Sequence, residues 1–210
     1  RRQHPPHPSH RRQGGDATDP MSYGQNPWPP LGSSVGHERA GLLSVTGHVL
    51  LTVDRGGPSV LETAMRDFRA GDQEALRRLI LDGLSERWGD AFDPAFNPDL
   101  DDFVANYLDH GAEVVVVEGP GGLVATGTLI PELPVAGRIV RMSVSATHRR
   151  QGLGRLVVNE LVERARRRGM TELRVLTDTP WTSAVELYRA CGFAHVRDDG
   201  IDSHFVMNLG

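Results

Sequence analysis

Arg149-Arg150-Gln151-Gly152-Leu153-Gly154 follows an apolar strand pattern, Arg138 to Val144, and opens a helical pattern running from Leu153 to about Arg168. Strand, glycine-bearing basic loop and helix form an arrangement that holds a phosphorylated ligand. Two glycines let the backbone approach the ligand. The free N–H groups of the first helical turn point at the anion, and the helix dipole favours its charge. The arginines can add charge-assisted hydrogen bonds. Cys191 is a second residue with chemical capacity, since a thiol can carry an acyl group. Its setting before Gly192-Phe193 reads instead as a small buried hydrophobe. His148 reads as a loop or packing residue, and no His/Cys/Asp cluster has metal-ligand spacing. His4, His7 and His10 belong to a solvated tail.

Two familiar phosphate-binding patterns fit the loop poorly. The phosphate loop of nucleotide hydrolases needs Lys followed by Ser or Thr after its last glycine, and neither is present. A dinucleotide fingerprint needs a third glycine, but position 157 is Val. On the loop alone, an ordinary tight strand-to-helix turn stays open as the alternative.

The elements that would position this loop are legible from periodicity. Met65 to Arg69 reads as a strand, and Asp72 can cap a helix whose apolar face is Leu76, Leu79, Ile80 and Leu84. Gly83 and Gly89 weaken that helix toward its end. Phe92 to Pro98 reads as a loop, and Asp99 as the start of a second helix through Phe103, Val104 and Tyr107. Val114 to Val117 is a continuous apolar run, the pattern of a strand covered on both faces. Leu123 to Ile130 returns as its hairpin partner, and Arg138 to Val144 follows. Leu153, Val157, Val158, Leu161, Val162 and Ala165 form the buried stripe of the next helix, which Gly169 stops. Glu172 to Thr177 is a further strand. The order is β-α-α-β-β-β-α-β-α-β-β, mixed α/β.

Size and charge set limits. The 210 residues suffice for one domain with a full core and a tail. Residues 1–60 are a low-complexity extension, expected to be disordered apart from a short strand within 42–53, and residues 61–210 form the domain. A net charge of −4 argues against an electrostatic nucleic-acid binder. Arg164, Arg166, Arg167 and Arg168 end a helix, where cations offset the dipole. One cysteine permits no intrachain disulfide, which is compatible with the reducing cytoplasm expected here. No apolar run reaches membrane-spanning length, and Gly41 to Val53 is a poor signal sequence.

The pattern R-x-x-G-x-G at Arg149 to Gly154, after Arg141-Met142-Ser143-Val144, resembles the acetyl-coenzyme A site of the GCN5-related N-acetyltransferases (GNAT). The resemblance continues through Ser183-Ala184-Val185-Glu186-Leu187-Tyr188-Arg189-Ala190-Cys191-Gly192-Phe193, where that family places a late helix and strand. It covers about Ala64 to Leu209. The resemblance implies a mostly antiparallel central sheet flanked by helices, and an enzyme that moves acetyl from acetyl-CoA to a primary amine. Direct transfer in a ternary complex is expected, with no acyl-enzyme. It assigns the pyrophosphate to Arg149, Arg150, Gln151, Gly152, Leu153, Gly154 and Arg155, and the pantetheine arm to main-chain groups of Met142, Ser143 and Val144. A main-chain amide near Val144 would polarise the thioester carbonyl. Tyr188 stands where many members place the general acid. Glu132, Glu86 and Asp178 are candidate bases by location alone.

One departure stands out. Many members carry Asn three residues before the helix alanine, to contact the pantetheine. Here the residue is Trp181, which lacks an amide's paired donor and acceptor but could wall the acceptor pocket. Leu84 to Phe103, with Trp88, Phe92 and Phe96 among Glu86, Asp90 and Asp93, is where the family selects its acceptor. Arg141 could pair with a substrate carboxylate. The acceptor is expected to be a small-molecule or amino-acid-like amine. A non-catalytic acyl-CoA sensor or scaffold and a protein or peptide N-acetyltransferase remain the rival readings. Neither nucleic acid nor membrane is an expected partner. Dimers are common among such domains, but no residue here specifies an interface.

Overall fold

The computed structural model describes residues 49–53, 61–132 and 134–210. The expected disordered extension falls mostly on residues 1–48 and 54–60, outside the described residues. Within it, β1 (Val49–Val53) forms inside the stretch read as a short strand and pairs antiparallel with β2 (Leu61–Asp67). Thereafter come α1 (Gln73–Trp88), α2 (Phe103–Asn106), β3 (Glu113–Gly119), β4 (Gly122–Glu132), β5 (Ala136–Val144), α3 (Leu153–Arg167), β6 (Glu172–Asp178), α4 (Thr182–Ala190), β7 (Ala194–Asp198) and β8 (Asp202–Asn208). From β2 onward this is the expected order. The strands form one sheet, β1-β2-β3-β4-β5-β6-β8-β7. Among the described residues only β5 and β6 pair in parallel.

The valine run in β3 shows how the sheet divides its neighbours. Val115 and Val117 join the core under α3 and α4, with Leu161, Val157 and Phe205. Val114 and Val116 join a second core under α1 and α2, with Leu76, Phe103 and Tyr107. Period-2 alternation sends successive side chains to opposite faces, so both faces must be apolar.

Two local features shape the centre of the sheet. Pairing of β4 with β5 shifts between Thr126 and Thr128, which face Ser143 and Val140, so β5 carries one extra residue opposite Gly127. Arg141, in this bulge, has φ 52°. Gly127 leaves the room the bulge needs. A Cβ there would overlap Met142 Sδ and lie 2.7 Å from Val157 Cγ1. The second feature is the end of the β5–β6 pairing. Ladder partners run only from Ala136↔Glu172 to Ile139↔Val175. Beyond that point the two strands splay apart.

Two helix expectations needed correction, at Asp72 and Asp99, while the first helix ends at Gly89. α1 runs through Gly83 because the helix lies hard against β5: a Cβ at Gly83 would be 2.8 Å from Ser143 Oγ, which donates to Leu79 O at 3.0 Å. Asp72 occupies the α1 N-cap but makes no side-chain cap there. Its carboxylate takes Arg66 (2.6 and 2.9 Å) and the Arg69 N–H (2.8 Å), and Arg66 holds its pKa below the usual range. Asp99 does not start the second helix. That short helix is capped by Asp102, which accepts the Ala105 N–H at 2.9 Å, and Gln73 ties α1 to it through Leu100 O and Phe103 N. The arginines at the end of α3 each meet a carboxylate: Arg164 with Asp67, Glu113 and Glu160, Arg166 with Glu163, Arg167 with Glu160, and Arg168 with Glu113. No helix among the described residues is long and apolar enough to cross a membrane.

Candidate active site

The splay between β5 and β6 opens into a cleft of about 520 Å³. Its walls come from the end of α1, the second half of β5, the 149–155 loop and α4. This volume lies inside the range of small-molecule and cofactor sites, about 300–1,000 Å³.

The loop is built for close approach. Arg150 (φ 62°) and Gly152 (φ 85°) both adopt the left-handed region, and nothing lies within 4 Å of where a Gly152 Cβ would be. Leu156 N–H closes the first turn of α3 onto Gly152 O at 3.0 Å, so the N–H groups of Leu153, Gly154 and Arg155 precede the helical ladder. A Gly154 Cβ would sit 3.2 Å from Leu187 Cδ2 on α4 and 3.7 Å from Val144 Cγ2 on β5. Position 154 therefore marks the narrow gap between those two elements. Arg149 is engaged elsewhere: its Nε donates to Val144 O at 3.1 Å, and the guanidinium pairs with Glu86 of α1.

The end of β5 turns a backbone donor toward the opening. Ser145 N–H donates to Val124 O at 2.9 Å, and Ala125 faces Val144 in the ladder. Antiparallel pairs alternate between bonded and non-bonded, so the pair next to a bonded one directs its N–H and C=O outward. Val144 N–H thus points away from β4, to the side where β6 has departed. Met142 and Ser143 line the same cleft.

Tyr188 lies on α4, buried at 5% exposure, and also lines the cleft. Its ring packs edge-on against Phe193 and tilted against Phe205, each with centroids 5.9 Å apart. Burial pushes its pKa well above that of an ordinary phenol, with Arg87 opposing and Cys191 adding to the rise. Among the described residues no protein group hydrogen-bonds its hydroxyl.

Trp181, at the N-cap of α4, reaches back to the end of α1. Its ring lies 5.8 Å from that of Trp88, and the Arg87 guanidinium sits over it at 4.4 Å. Both Trp181 and Arg87 line the cleft, so Trp181 does form a wall.

Several sequence candidates lie apart from the cleft. Glu132 pairs with Arg138 and Arg174, and Glu86 with Arg149. Phe92 packs against the second core, Phe96 is exposed at the surface, and Asp93 caps a short turn through the Ala95 N–H. Arg141 does line the cleft, but its guanidinium is engaged within the protein rather than poised for a substrate carboxylate. It is buried against Asp99, with bonds to Asp99 Oδ2 (2.9 Å), Asn97 Oδ1 (2.9 Å) and Tyr107 Oη (3.1 Å). Cys191 does not line the cleft; burial pushes its thiol pKa up, which keeps it protonated and suits packing better than acyl transfer. Asp178 is buried at the end of β6, directly across the ladder from Asp202. Asp202, which lines the cleft, was not among the sequence candidates: Asp198-Asp199-Gly200-Ile201-Asp202 reads as a solvated turn, and only the β6–β8 register places its last residue inside.

The acetyltransferase (GNAT) family model matches residues 73–193, more than half of the chain. The chain belongs to the GNAT family. N-acetyltransferase 8 of Rattus norvegicus is 31% identical over 121 residues, covering 55% of this chain and 54% of the relative. The chain thus spans about half the length of the relatives it matches. Among solved structures, a GNAT-family acetyltransferase of Staphylococcus aureus Mu50 superposes with a TM-score of 0.64 at 18% identity, covering 70% of this chain and 99% of that one. The Salmonella typhimurium protein yncA, solved with its cofactor acetyl-CoA, gives 0.57 at 17% identity over 70% and 94%. At those identities the likeness is one of fold.

Proposed function

We propose that this GNAT protein is an acetyl-CoA-dependent N-acetyltransferase acting on the primary amine of a small molecule by direct transfer. The observation that carries this reading is the outward-facing Val144 N–H at the mouth of the β5–β6 splay, with Tyr188 in the same cleft.

The residues suit the donor. The open Gly152 cradle and the first N–H groups of α3 match a pyrophosphate, with Arg150 and Arg155 supplying charge. The β5 edge from Met142 to Val144, left without a strand partner, suits the amide-rich pantetheine arm, which pairs as a strand does. Acetyl-CoA supplies the activated acyl group. Val144 N–H would stabilise the oxyanion, and Tyr188 would donate a proton to the departing sulfur. The contacts joining Trp181 to Arg87 and Trp88 narrow the acceptor side, which favours a small molecule over a polypeptide. The cytoplasmic location is part of the same proposal.

Thiol release measured across small primary amines, amino acids and peptides tests the reading. Turnover on small amines is the expected result. Acetyl-CoA binding with no turnover on any amine class would establish a sensor instead, and turnover on peptides alone a protein acetyltransferase. Gly154→Val, which fills the gap between Leu187 and Val144, is expected to weaken acetyl-CoA binding at least about tenfold, or 1.4 kcal/mol, by calorimetry. Unchanged affinity would move the cofactor elsewhere.

A further inference from the structure

Asp202 begins β8, opposite Asp178 at the end of β6. Two acidic side chains thus face each other across the ladder. Both residues are buried, at 7% and 2% exposure. The Asp202 backbone is fixed by its N–H donating to Asp199 Oδ1 at 2.8 Å. One oxygen of its own carboxylate, Oδ1, is buried with no hydrogen-bond partner among the described residues. The titratable groups around it are Asp178 across the ladder, Asp199, and His204, whose imidazole is itself bonded to Asp199 at 2.7 Å. Burying a carboxylate oxygen without a donor is costly. Desolvated ionisable groups that face a cleft cluster at binding and catalytic sites.

Position decides which ligand. Asp202 and Leu176 both line the cleft, and alternation along β6 and β8 puts Leu176, Asp178 and Asp202 on the face opposite Val175 and Phe205. Val175 and Phe205 pack under α3 and α4 with Tyr188. Asp202 therefore approaches from the face of α1 and α2, across the sheet from Tyr188.

We propose that Asp202 is the anionic subsite that receives the ammonium group of the acceptor, and that the acceptor is a small cationic amine. This rests on the acetyltransferase reading for its chemistry but not for its binding. The protons balance along this route. The ammonium gives one proton to the Asp202 carboxylate and becomes a neutral amine. Its nitrogen attacks the thioester carbonyl carbon, and the oxyanion collapses with cleavage of the carbon–sulfur bond. Tyr188 protonates the departing sulfur and regains a proton from the nitrogen, which keeps its last one as the amide N–H. The proton on Asp202 passes to water. Burial and the Asp199 charge raise the Asp202 pKa, while His204 opposes, so the carboxylate is a better proton acceptor than an exposed one.

The test uses the full chain saturated with coenzyme A, which cannot react. Calorimetry with 1,4-diaminobutane, and with the uncharged 1,4-butanediol, reads the subsite in the native protein and in Asp202→Asn. The diamine is expected to bind at least tenfold more weakly to Asp202→Asn, with the diol binding to neither. Melting curves confirm that the variant is folded; Asp202→Ser serves if it is not. Equal affinity for diamine in both proteins, or no binding to either, overturns the proposal. Thiol release from acetyl-CoA with the same diamine is followed in parallel. Asp202-dependent binding without thiol release would overturn the acetyltransferase reading and leave the subsite standing. Thiol release with equal kcat/KM in both proteins would do the reverse.

Discussion

Tyr188→Phe is expected to lower kcat by about a hundredfold, the lower range for removing a positioned proton donor, with acetyl-CoA affinity unchanged. The ring, not the hydroxyl, supplies the packing against Phe193 and Phe205, and phenylalanine keeps the ring. Among the described residues the hydroxyl has no hydrogen bond whose loss would disturb the fold. Its burial favours the neutral phenol, so the proton stays available at pH values where an exposed tyrosine begins to ionise. The sign follows directly: a raised pKa moves any alkaline loss of kcat upward, so the profile should show no fall near the ordinary tyrosine pKa of about 10. Single-turnover measurements with a small primary amine separate the chemical step from product release. An unchanged chemical rate in Tyr188→Phe would remove the general-acid role and leave Tyr188 as a packing residue.

The parts legible in the sequence are those set by local spacing. The Gly152–Gly154 loop, the apolar stripe of α3 and the Ala184–Tyr188 turn of α4 each declare themselves within a few residues. Tyr188 and Ala184 are four apart and share a helix face, so a local pattern suffices to bring both to the cleft. The order of elements along the chain from β2 onward followed from the same short-range signals. What stayed hidden depends on register between distant segments. Asp202 is buried because β8 aligns it with Asp178, and a shift of one residue would send it to the other face. Gly127 reads as an unremarkable strand glycine until the bulge at Arg141 and Met142 arrives opposite it. The Val144 amide, assigned from the family resemblance, takes its outward direction from the same pairing. Trp181, flagged in the sequence as a departure from the family, needed the end of α1 beside it before its role as a wall was visible.

Arg141→Ala is expected to destabilise the protein by about 3–5 kcal/mol, the cost of leaving one partner of a buried ion pair alone. Arg141 and Asp99 are 9% and 7% exposed, and 42 residues separate them in sequence. The guanidinium also bonds Asn97 and Tyr107, so it clamps the turn before α2 onto the bulge of β5. Tyr107 donates its hydroxyl to Asp99, and burial raises its pKa well above the usual range, so it stays a neutral donor and the Asp99 charge is left without a counter-charge. The backbone adds a second constraint, because Arg141 holds a left-handed φ that a branched residue would resist. A thermal melt reads the effect as a fall of roughly 10 °C, given about 2–4 °C per kcal/mol for a chain of this size. Arg141→Met combined with Asp99→Asn should recover part of that loss, since no buried charge remains unopposed. A single variant that melts like the native protein would show that the clamp contributes nothing, and that the α1–α2 turn is held by Gln73 and the apolar contacts of Leu100 and Phe103 alone.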